Sequence, residues 1–237
     1  MAPPASESCT RPGLVAVLLS FVAGYVDTVG FVSLFGLFTA HITGNLALIG
    51  ATLARSNHGL VTKLVALPVF VLVVGATALY AYKRTAAGRP ALPGALLAQL
   101  LLLGAFAAAG IIASPITDAD TPLAIVTGLL GVCAMSIQNA ASRLMMGELP
   151  PTTVMTGGVT QSAIDLATLL AARGKDAIAA RKRLGKFVPP VLAFAAGAIA
   201  GALLYAWLGF AVLAVPMAAL AVVLLLSRSA QTGEVPA

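Results

Sequence analysis

Residues 24–54, GYVDTVGFVSLFGLFTAHITGNLALIGATLA, are apolar enough to lie in a bilayer and yet carry Asp27, His41, Thr43 and Asn45. Residues 138–172, QNAASRLMMGELPPTTVMTGGVTQSAIDLATLLAA, show a similar mixture of apolar and polar side chains. Ionisable side chains inside membrane segments are costly and commonly mark a path or a binding site. The two stretches therefore predict a membrane protein with a polar site near the middle of the bilayer.

The composition of the whole chain agrees with this interpretation. Of the 237 residues, 59% are hydrophobic and 9% are charged, whereas soluble domains carry about 25% charged residues. The apolar runs reach the roughly 20 residues that cross a bilayer as a helix, and they lack the alternation of a membrane β-barrel. We expect an all-α, polytopic helix bundle that forms one membrane domain over residues 1–237. Residues 14–35 are too long for the apolar region of a signal peptide, so we expect a retained helix.

The apolar runs predict about six transmembrane spans, namely Leu14–Phe35, Leu64–Tyr82, Gly94–Ala113, Pro122–Ser142, Phe187–Trp207 and Gly209–Ser227. Two further helical segments, Phe38–Ala54 and Thr152–Ala172, are interrupted near their starts by glycines and polar side chains. Each of these two segments is a full span, a broken helix or a re-entrant helix. The predicted total therefore lies between six and eight spans.

Loop charges distinguish these topologies. If both ambiguous segments dip into the bilayer and return, with the N-terminus inside, 12 of the 14 Lys and Arg residues face the cytoplasm. If both segments cross fully, 10 lie inside and four outside. Because cytoplasmic loops carry an excess of Lys and Arg, the re-entrant topology is favoured. Both termini are then cytoplasmic, and the two halves, with three spans each, are inverted relative to each other.

The basic residues give the chain a formal net charge of +6. We interpret them as topology signals rather than as a nucleic-acid site, because they fall in loops between spans. The basic run Arg173–Lys186 either anchors the topology or binds anionic lipid headgroups. The two cysteines, Cys9 and Cys133, do not have the spacing of a disulfide framework or of a metal site.

A weak internal repeat relates residues 14–113 to residues 122–227. With an offset of 113 residues, the two Thr-Gly segments align with identities at Thr39/Thr152, Thr43/Thr156, Gly44/Gly157, Leu53/Leu166 and Ala54/Ala167. The order of elements is also shared: a span, a Thr-Gly segment, a short loop and two spans. Chance similarity between apolar helices is the alternative. Interrupted helices at corresponding positions of two halves point to the binding site of a transporter, because exposed backbone at membrane depth needs surrounding protein or water.

The acidic residues are the most informative polar residues. Asp27 lies in the middle of the first span, where a charge costs roughly 3 kcal/mol, so it marks a path or fixes the bundle through an ion pair or hydrogen bonds. Gly24 and Gly30 flank it and are expected to permit close helix packing. Asp165 shares one helix face with Gly158, Gln161 and Thr168, and this face either lines water or packs against the end of the fourth span.

The remaining polar side chains also have two interpretations each. Gln138 and Asn139 line a path or hydrogen-bond between helices. Arg143 pairs with an acidic residue, Asp27 or Asp165, or extends to the cytoplasmic surface. His41 relays protons or is buried and hydrogen-bonded. The predicted transport path comprises Asp27, His41, Thr43, Asn45, Gln138, Asn139, Arg143, Thr156, Gln161 and Asp165.

Four motifs, AGYVDTVGF, AHITGNLALIGA, QNAASRL and TTVMTGGVTQSAIDLA, occur in this order along the chain. Together they resemble the YoaK family of bacterial membrane proteins of unknown function, and the resemblance covers nearly the whole chain. The chain departs from that family at Thr156-Gly157-Gly158, where the family often has Thr-Gly-Asn. The resemblance implies an integral protein of the bacterial inner membrane and no established substrate.

Three functions remain open from the sequence. We favour a small-solute or ion permease, a transporter or a channel, in which Asp27 or Asp165 couples transport to a proton or a cation. The alternative is a non-transporting membrane subunit or scaffold whose polar residues are structural. An intramembrane enzyme is the weakest hypothesis, because the chain has no catalytic, phosphate-binding or metal-binding motif, and we expect no cofactor.

Overall fold

The computed structural model describes residues 11–55, 59–147 and 149–232, and the side chains of all of these except residues 55 and 229–232. These residues form helices and connecting turns, and no strand. The helices are α1 (Pro12–Ser33), α2 (Ile42–Arg55), α3 (Leu60–Ala86), α4 (Leu92–Ala113), α5 (Pro122–Leu144), α6 (Met155–Ala171), α7 (Lys175–Leu208) and α8 (Ala214–Thr232), with a 3₁₀ turn at Gly209–Leu213.

The six predicted spans correspond to α1, α3, α4, α5, α7 and α8, and the two Thr-Gly segments are α2 and α6. Several helix ends differ from the predicted span boundaries. The first span ends at Ser33 and not at Phe35, because the chain turns there with positive φ angles at Phe35 (52°) and Gly36 (82°). Helix α7 contains the predicted span Phe187–Trp207 but begins earlier, at Lys175, because its basic first part is helical outside the apolar run. Helix α8 begins at Ala214 and not at Gly209, because a 3₁₀ turn precedes it.

Helix lengths separate long elements from short ones. Helices α1, α3, α4 and α5 are long and apolar enough to cross a membrane, and so is the run Lys175–Arg228, which holds α7 and α8. That run has 54 residues, about 81 Å of helix, and it is broken at Gly209, which has a φ of 57°. Helix α2 has 14 residues, about 21 Å, which is less than the roughly 30 Å of a hydrocarbon core. The chain is a multi-pass helical membrane protein.

Helices α1 and α5 lie at the centre of the bundle, and they are the two most buried of the apolar helices. Helix α1 packs against α7 and α8, whereas α5 packs against α3 and α4. Helix α1 also touches α5, and α4 packs on α8. The short helix α2 packs on α3, and the short helix α6 packs on α7. Each central helix therefore has the last two helices of the other half of the chain as its main neighbours.

Three glycines let α1 and α7 approach closely. A Cβ atom at Gly201 would lie 2.7 Å from the carbonyl oxygen of Tyr25, and a Cβ atom at Gly24 or Gly197 would meet the carbonyl oxygen of Phe194 or Phe21. Small residues at a helix interface permit this backbone-to-backbone contact in membranes. The prediction that Gly24 permits close helix packing is confirmed.

Candidate functional site

Asp27 holds the segment that leads into α2. Its Oδ1 atom accepts hydrogen bonds from the backbone N–H of Ala40 at 2.6 Å and of His41 at 3.4 Å, and from the hydroxyl of Thr39 at 3.4 Å. The carboxyl group is almost inaccessible, with 4% of Asp27 exposed. An acceptor at the first turn of a helix satisfies N–H groups that have no partner within the helix. The chain therefore folds back along α1 after Ser33 and begins α2 beside Asp27.

Asn45 closes the same loop from the other side. Its side-chain oxygen accepts from the N–H of Phe38 at 2.9 Å, and its side-chain nitrogen donates to the carbonyl of Phe38 at 2.7 Å. Thr39 fits between α1 and α5 because Gly30 and Gly131 carry no side chain: a Cβ at Gly30 would lie 2.6 Å from the Thr39 methyl group, and one at Gly131 2.9 Å from it. Gly30 thus makes room for a loop rather than for a helix.

A second polar cluster holds the segment that leads into α6. The Nε2 atom of Gln138 donates to the hydroxyl of Thr152 at 3.2 Å, and the Nδ2 atom of Asn139 donates to the hydroxyl of Thr153 at 2.9 Å. The N–H of Thr152 lies 3.4 Å from the hydroxyl oxygen of Ser142. Amide and hydroxyl side chains of α5 therefore hold the segment before α6, as the Asp27 carboxyl group of α1 holds the segment before α2.

The Gln138 amide also joins three helices. Its nitrogen donates to the carbonyl of Leu19 on α1 at 2.8 Å, and its oxygen accepts from the Nε2 atom of Gln99 on α4 at 2.7 Å. Gln138 and Gln99 are both fully buried. The interhelical hydrogen-bond role predicted as one alternative for Gln138 is confirmed.

The two clusters lie at different depths. Asp27 and Gln138 each stand six residues before the end of their helix, which is about 9 Å at 1.5 Å per residue. Because Gln138 meets α1 at Leu19, about 12 Å of α1 separates it from Asp27. The predicted polar residues therefore do not meet in one midplane site but in two separate clusters.

Asp165 belongs to neither cluster. Its Oδ1 atom accepts two hydrogen bonds from Arg183 on α7, from Nε at 2.8 Å and from Nη2 at 2.6 Å. Its side chain is fully inaccessible, whereas that of Arg183 is 44% exposed. The alternative in which Arg143 pairs with Asp165 was wrong, because Asp165 pairs with Arg183 and α6 packs on α7. Arg143 is exposed.

The two clusters differ in chemistry. Asp27 places a group that can change its charge at the positive end of a helix, whereas Gln138 and Asn139 are neutral at every pH. A proton or a cation can therefore act on the first cluster, and the second can only exchange hydrogen bonds. Within the described ranges, no group of three or more His, Cys, Asp or Glu residues could hold a metal ion.

The sequence profile of a family described as "Protein of unknown function (DUF1275)" matches residues 15–226, from the first turn of α1 into α8. The chain belongs to this family. No curated protein matches the chain, and no solved structure matches it either. The resemblance to the YoaK family stays a prediction, and membership in DUF1275 leaves the substrate open.

In this member of DUF1275, several predicted path residues lie on the outer surface of the short helices. Thr43 and Thr156 are exposed at the first turns of α2 and α6, and Gln161 is partly exposed. One alternative predicted a buried His41, but His41 is exposed. The centre of its ring lies 5.6 Å from the centre of the Phe38 ring. These side chains are the accessible polar groups beside the two loops.

Two polar residues to which the sequence analysis assigned no role also hold neighbouring segments together. Gln99 is the one amide in the apolar run of α4, and its isolation there was the available signal. Lys63 was expected in the loop before the span Leu64–Tyr82, but it lies in the first turn of α3 and is 2% exposed. Its ammonium group donates to the carbonyls of Phe35 at 2.8 Å and Gly59 at 3.3 Å. Lys63 thereby ties the end of α1 to the start of α3, a contact between distant residues that no local pattern shows.

Proposed function

We propose that this protein is a permease for a small solute or an ion, with a path that passes the starts of α2 and α6. The observation that carries the proposal is that both short helices begin beside the interior of a membrane helix, at Asp27 and at Gln138–Asn139. Backbone that is broken at membrane depth occurs where protein or a water-filled cavity surrounds it. Such broken helices form the substrate and ion sites of many transporters.

Asp27 is the coupling group in this proposal. Binding of a proton or a cation to its carboxyl group removes negative charge from the hydrogen bonds to Ala40 and His41, and charge-assisted hydrogen bonds are about twice as strong as neutral ones. The loop before α2 is then held less tightly, whereas the loop before α6 is unaffected. Asp165 is less suited to this role because Arg183 occupies its carboxyl group.

The topology proposed with this function has six spans, two re-entrant helices and both termini in the cytoplasm of a bacterium. On α7, about 31 Å of helix separates Lys186 from Trp207, which is close to the thickness of the hydrocarbon core. Basic residues favour the cytoplasmic side and Trp the interface, so α7 runs outward. The loop before α2 then enters from outside and the loop before α6 from inside.

The same topology makes the two halves an inverted repeat. Three pairs of contacts correspond: α1 with α7 and α5 with α3, α1 with α8 and α5 with α4, α2 with α3 and α6 with α7. The aligned residues Thr39 and Thr152 are both fully buried and both bonded to the span that precedes them. These correspondences support an ancestral repeat over residues 14–113 and 122–227.

Cysteine accessibility tests the path directly. Single cysteines replace Thr43 and Thr156, which are exposed, in a chain that lacks Cys9 and Cys133, and a membrane-impermeant thiol reagent is applied from each side. We expect Thr43→Cys to react from outside and Thr156→Cys from inside. Leu72→Cys, on the outward face of α3 with 71% exposure, is the lipid-facing control and is expected to stay unlabelled. If the cysteines at both threonine positions were protected from the reagent, the result would contradict a water-filled path.

Flux measurement tests the role of Asp27. In proteoliposomes, Asp27→Asn keeps the side-chain shape and an acceptor for Ala40, so the protein is expected to fold and to lose coupling to the proton or cation gradient. Asp118→Asn, in the exposed turn before α5, is the matched control and retains full flux. Gradient-driven flux at the normal rate in Asp27→Asn would remove Asp27 from the mechanism.

A non-transporting membrane subunit is the second candidate function. It is favoured by one observation: Asp27, Asn45, Gln138 and Asp165 are all inaccessible and all hydrogen-bonded within the chain. In that case the polar residues hold the bundle together. The described residues add no support for an enzymatic role. Co-purification of a stoichiometric partner, with no flux in liposomes and no labelling at Thr43 or Thr156, would establish it.

A further inference from the structure

An apolar cleft of about 630 Å³ lies between α6 and α7. Its walls are almost entirely apolar, and its lining residues are Ser162, Ala163, Leu166, Arg181, Leu184, Gly185, Val188 and Pro189. The volume is in the range of sites for small molecules, roughly 300–1,000 Å³. Arg181 is the one charged residue of the lining, so the cleft joins an apolar wall to a single cation.

Arg181 lies at the depth in the bilayer at which lipid phosphates are expected. It lies five residues before Lys186 along α7, about 7 Å further from the bilayer centre, if Lys186 and Trp207 mark the two edges of the hydrocarbon core. The neighbouring Lys182 and Lys186 are exposed. Within the described residues, Arg183 forms an ion pair with Asp165, whereas Arg181 has no carboxylate partner. Arg181 is therefore free to bind an anion.

We propose that this cleft binds one anionic glycerophospholipid. The phosphate pairs with Arg181, and one acyl chain lies along Leu166, Leu184 and Val188. The occupant is a membrane lipid and not a soluble phosphate, because the apolar wall is much larger than the polar end. The lipid fills the cleft between α6 and α7. This binding does not depend on whether the protein transports a solute.

Brominated lipids test the site, because bromine quenches Trp fluorescence at close range. The only Trp, Trp207, is replaced by Phe, and Leu184→Trp places a probe in the cleft. Vesicles contain equal amounts of phosphatidylglycerol and phosphatidylcholine, with bromine on one lipid at a time. We expect the probe to prefer phosphatidylglycerol about fivefold, the factor that corresponds to about 1 kcal/mol for one basic residue near an anionic lipid.

Two charge variants and a second probe provide the controls. Arg181→Gln is expected to reduce the preference to about one, and Lys83→Gln, which removes one exposed charge from the end of α3, is expected to leave it unchanged. A probe at Leu72→Trp, on the outward face of α3, is expected to show no preference. Equal quenching by both lipids at Leu184→Trp, or an unchanged preference in Arg181→Gln, would overturn the proposal.

Native mass spectrometry gives a second measurement that needs no probe in the cleft. The unmodified chain, released from bacterial membranes in mild detergent, is expected to retain one anionic glycerophospholipid molecule per chain. Arg181→Gln is expected to lose it and Lys83→Gln to retain it. Retention by all three proteins, or by none, would contradict a site at Arg181.

Discussion

A close backbone contact between α1 and α7 gives the sharpest stability prediction. A Cβ atom at Gly201 on α7 would lie 2.7 Å from the carbonyl oxygen of Tyr25 and 3.2 Å from its Cα atom. Ordinary contacts of a Cβ atom begin near 3.4 Å, and both neighbouring atoms belong to the backbone. In Gly201→Ala the two helices must therefore separate by several tenths of an ångström, because no side chain is there to move aside.

The magnitude follows from two opposing effects. Overpacking of a tight interface costs about 1–3 kcal/mol, and replacing a helical Gly by Ala returns about 0.5–1 kcal/mol of helix propensity. We expect Gly201→Ala to lower the free energy of unfolding by about 1–2 kcal/mol. Gly75 on α3 is the matched control, because it is also inside a helix and its Cβ position has no neighbour within 4 Å other than adjacent residues and the backbone of its own helix. Gly75→Ala is expected to raise the free energy of unfolding by about 0.5–1 kcal/mol.

The assay is reversible unfolding in mixed micelles, in which sodium dodecyl sulfate is titrated into a mild detergent and helix content is followed by circular dichroism. Size-exclusion chromatography first establishes that both variants are folded and monodisperse. The two substitutions are chemically identical, so their difference isolates the contact between α1 and α7. Equal or greater stability of Gly201→Ala relative to Gly75→Ala would refute the close packing.

Two further predictions concern the loop before α2 and the α6–α7 pair. Asn45→Ala removes both hydrogen bonds to the loop backbone, so we expect the free energy of unfolding to fall by about 1–3 kcal/mol and hydrogen exchange at residues 38–41 to become faster. Thr43→Ala, at an exposed position, is expected to change neither quantity. Unchanged exchange in Asn45→Ala would contradict the role of Asn45. Arg183→Gln leaves the inaccessible Asp165 without its cationic partner, so we expect a lower thermal midpoint in detergent than for Arg181→Gln, which removes an equal charge. Equal midpoints in the two Arg variants would show that the ion pair contributes nothing.

Most of the fold follows from local sequence. Apolar runs of about 20 residues gave the positions of the long helices within a few residues, because every backbone polar group in a span must be satisfied within its own helix. Thr-Gly interruptions gave the two short helices. The early end of α1 and the early start of α7 were missed, since a turn at Phe35–Gly36 and a helical basic segment leave no mark in hydropathy.

The candidate site was predicted less completely. The sequence selected Asp27, Asn45, Gln138 and Asn139 as unusual, and all four hold loops in the structure. It did not show that they divide into two clusters, because the pairing of Asp27 with Ala40 joins the interior of one helix to the start of the next. The partner of Asp165 was also missed, because several basic residues were equally available to it in the sequence.

The sequence by itself determined that this is a multi-pass helical membrane protein and which of its polar residues lie in apolar surroundings, because the cost of burying a polar group in lipid depends on residue type and local context alone. Only the tertiary structure decided what those residues do. Hydrogen bonds and ion pairs form between groups about 3 Å apart, and that proximity is set by how α1, α5 and α7 pack. Gln138 meets Leu19 across the bundle, and Asp165 meets Arg183 rather than Arg143, because helix packing brings together residues that the chain keeps apart.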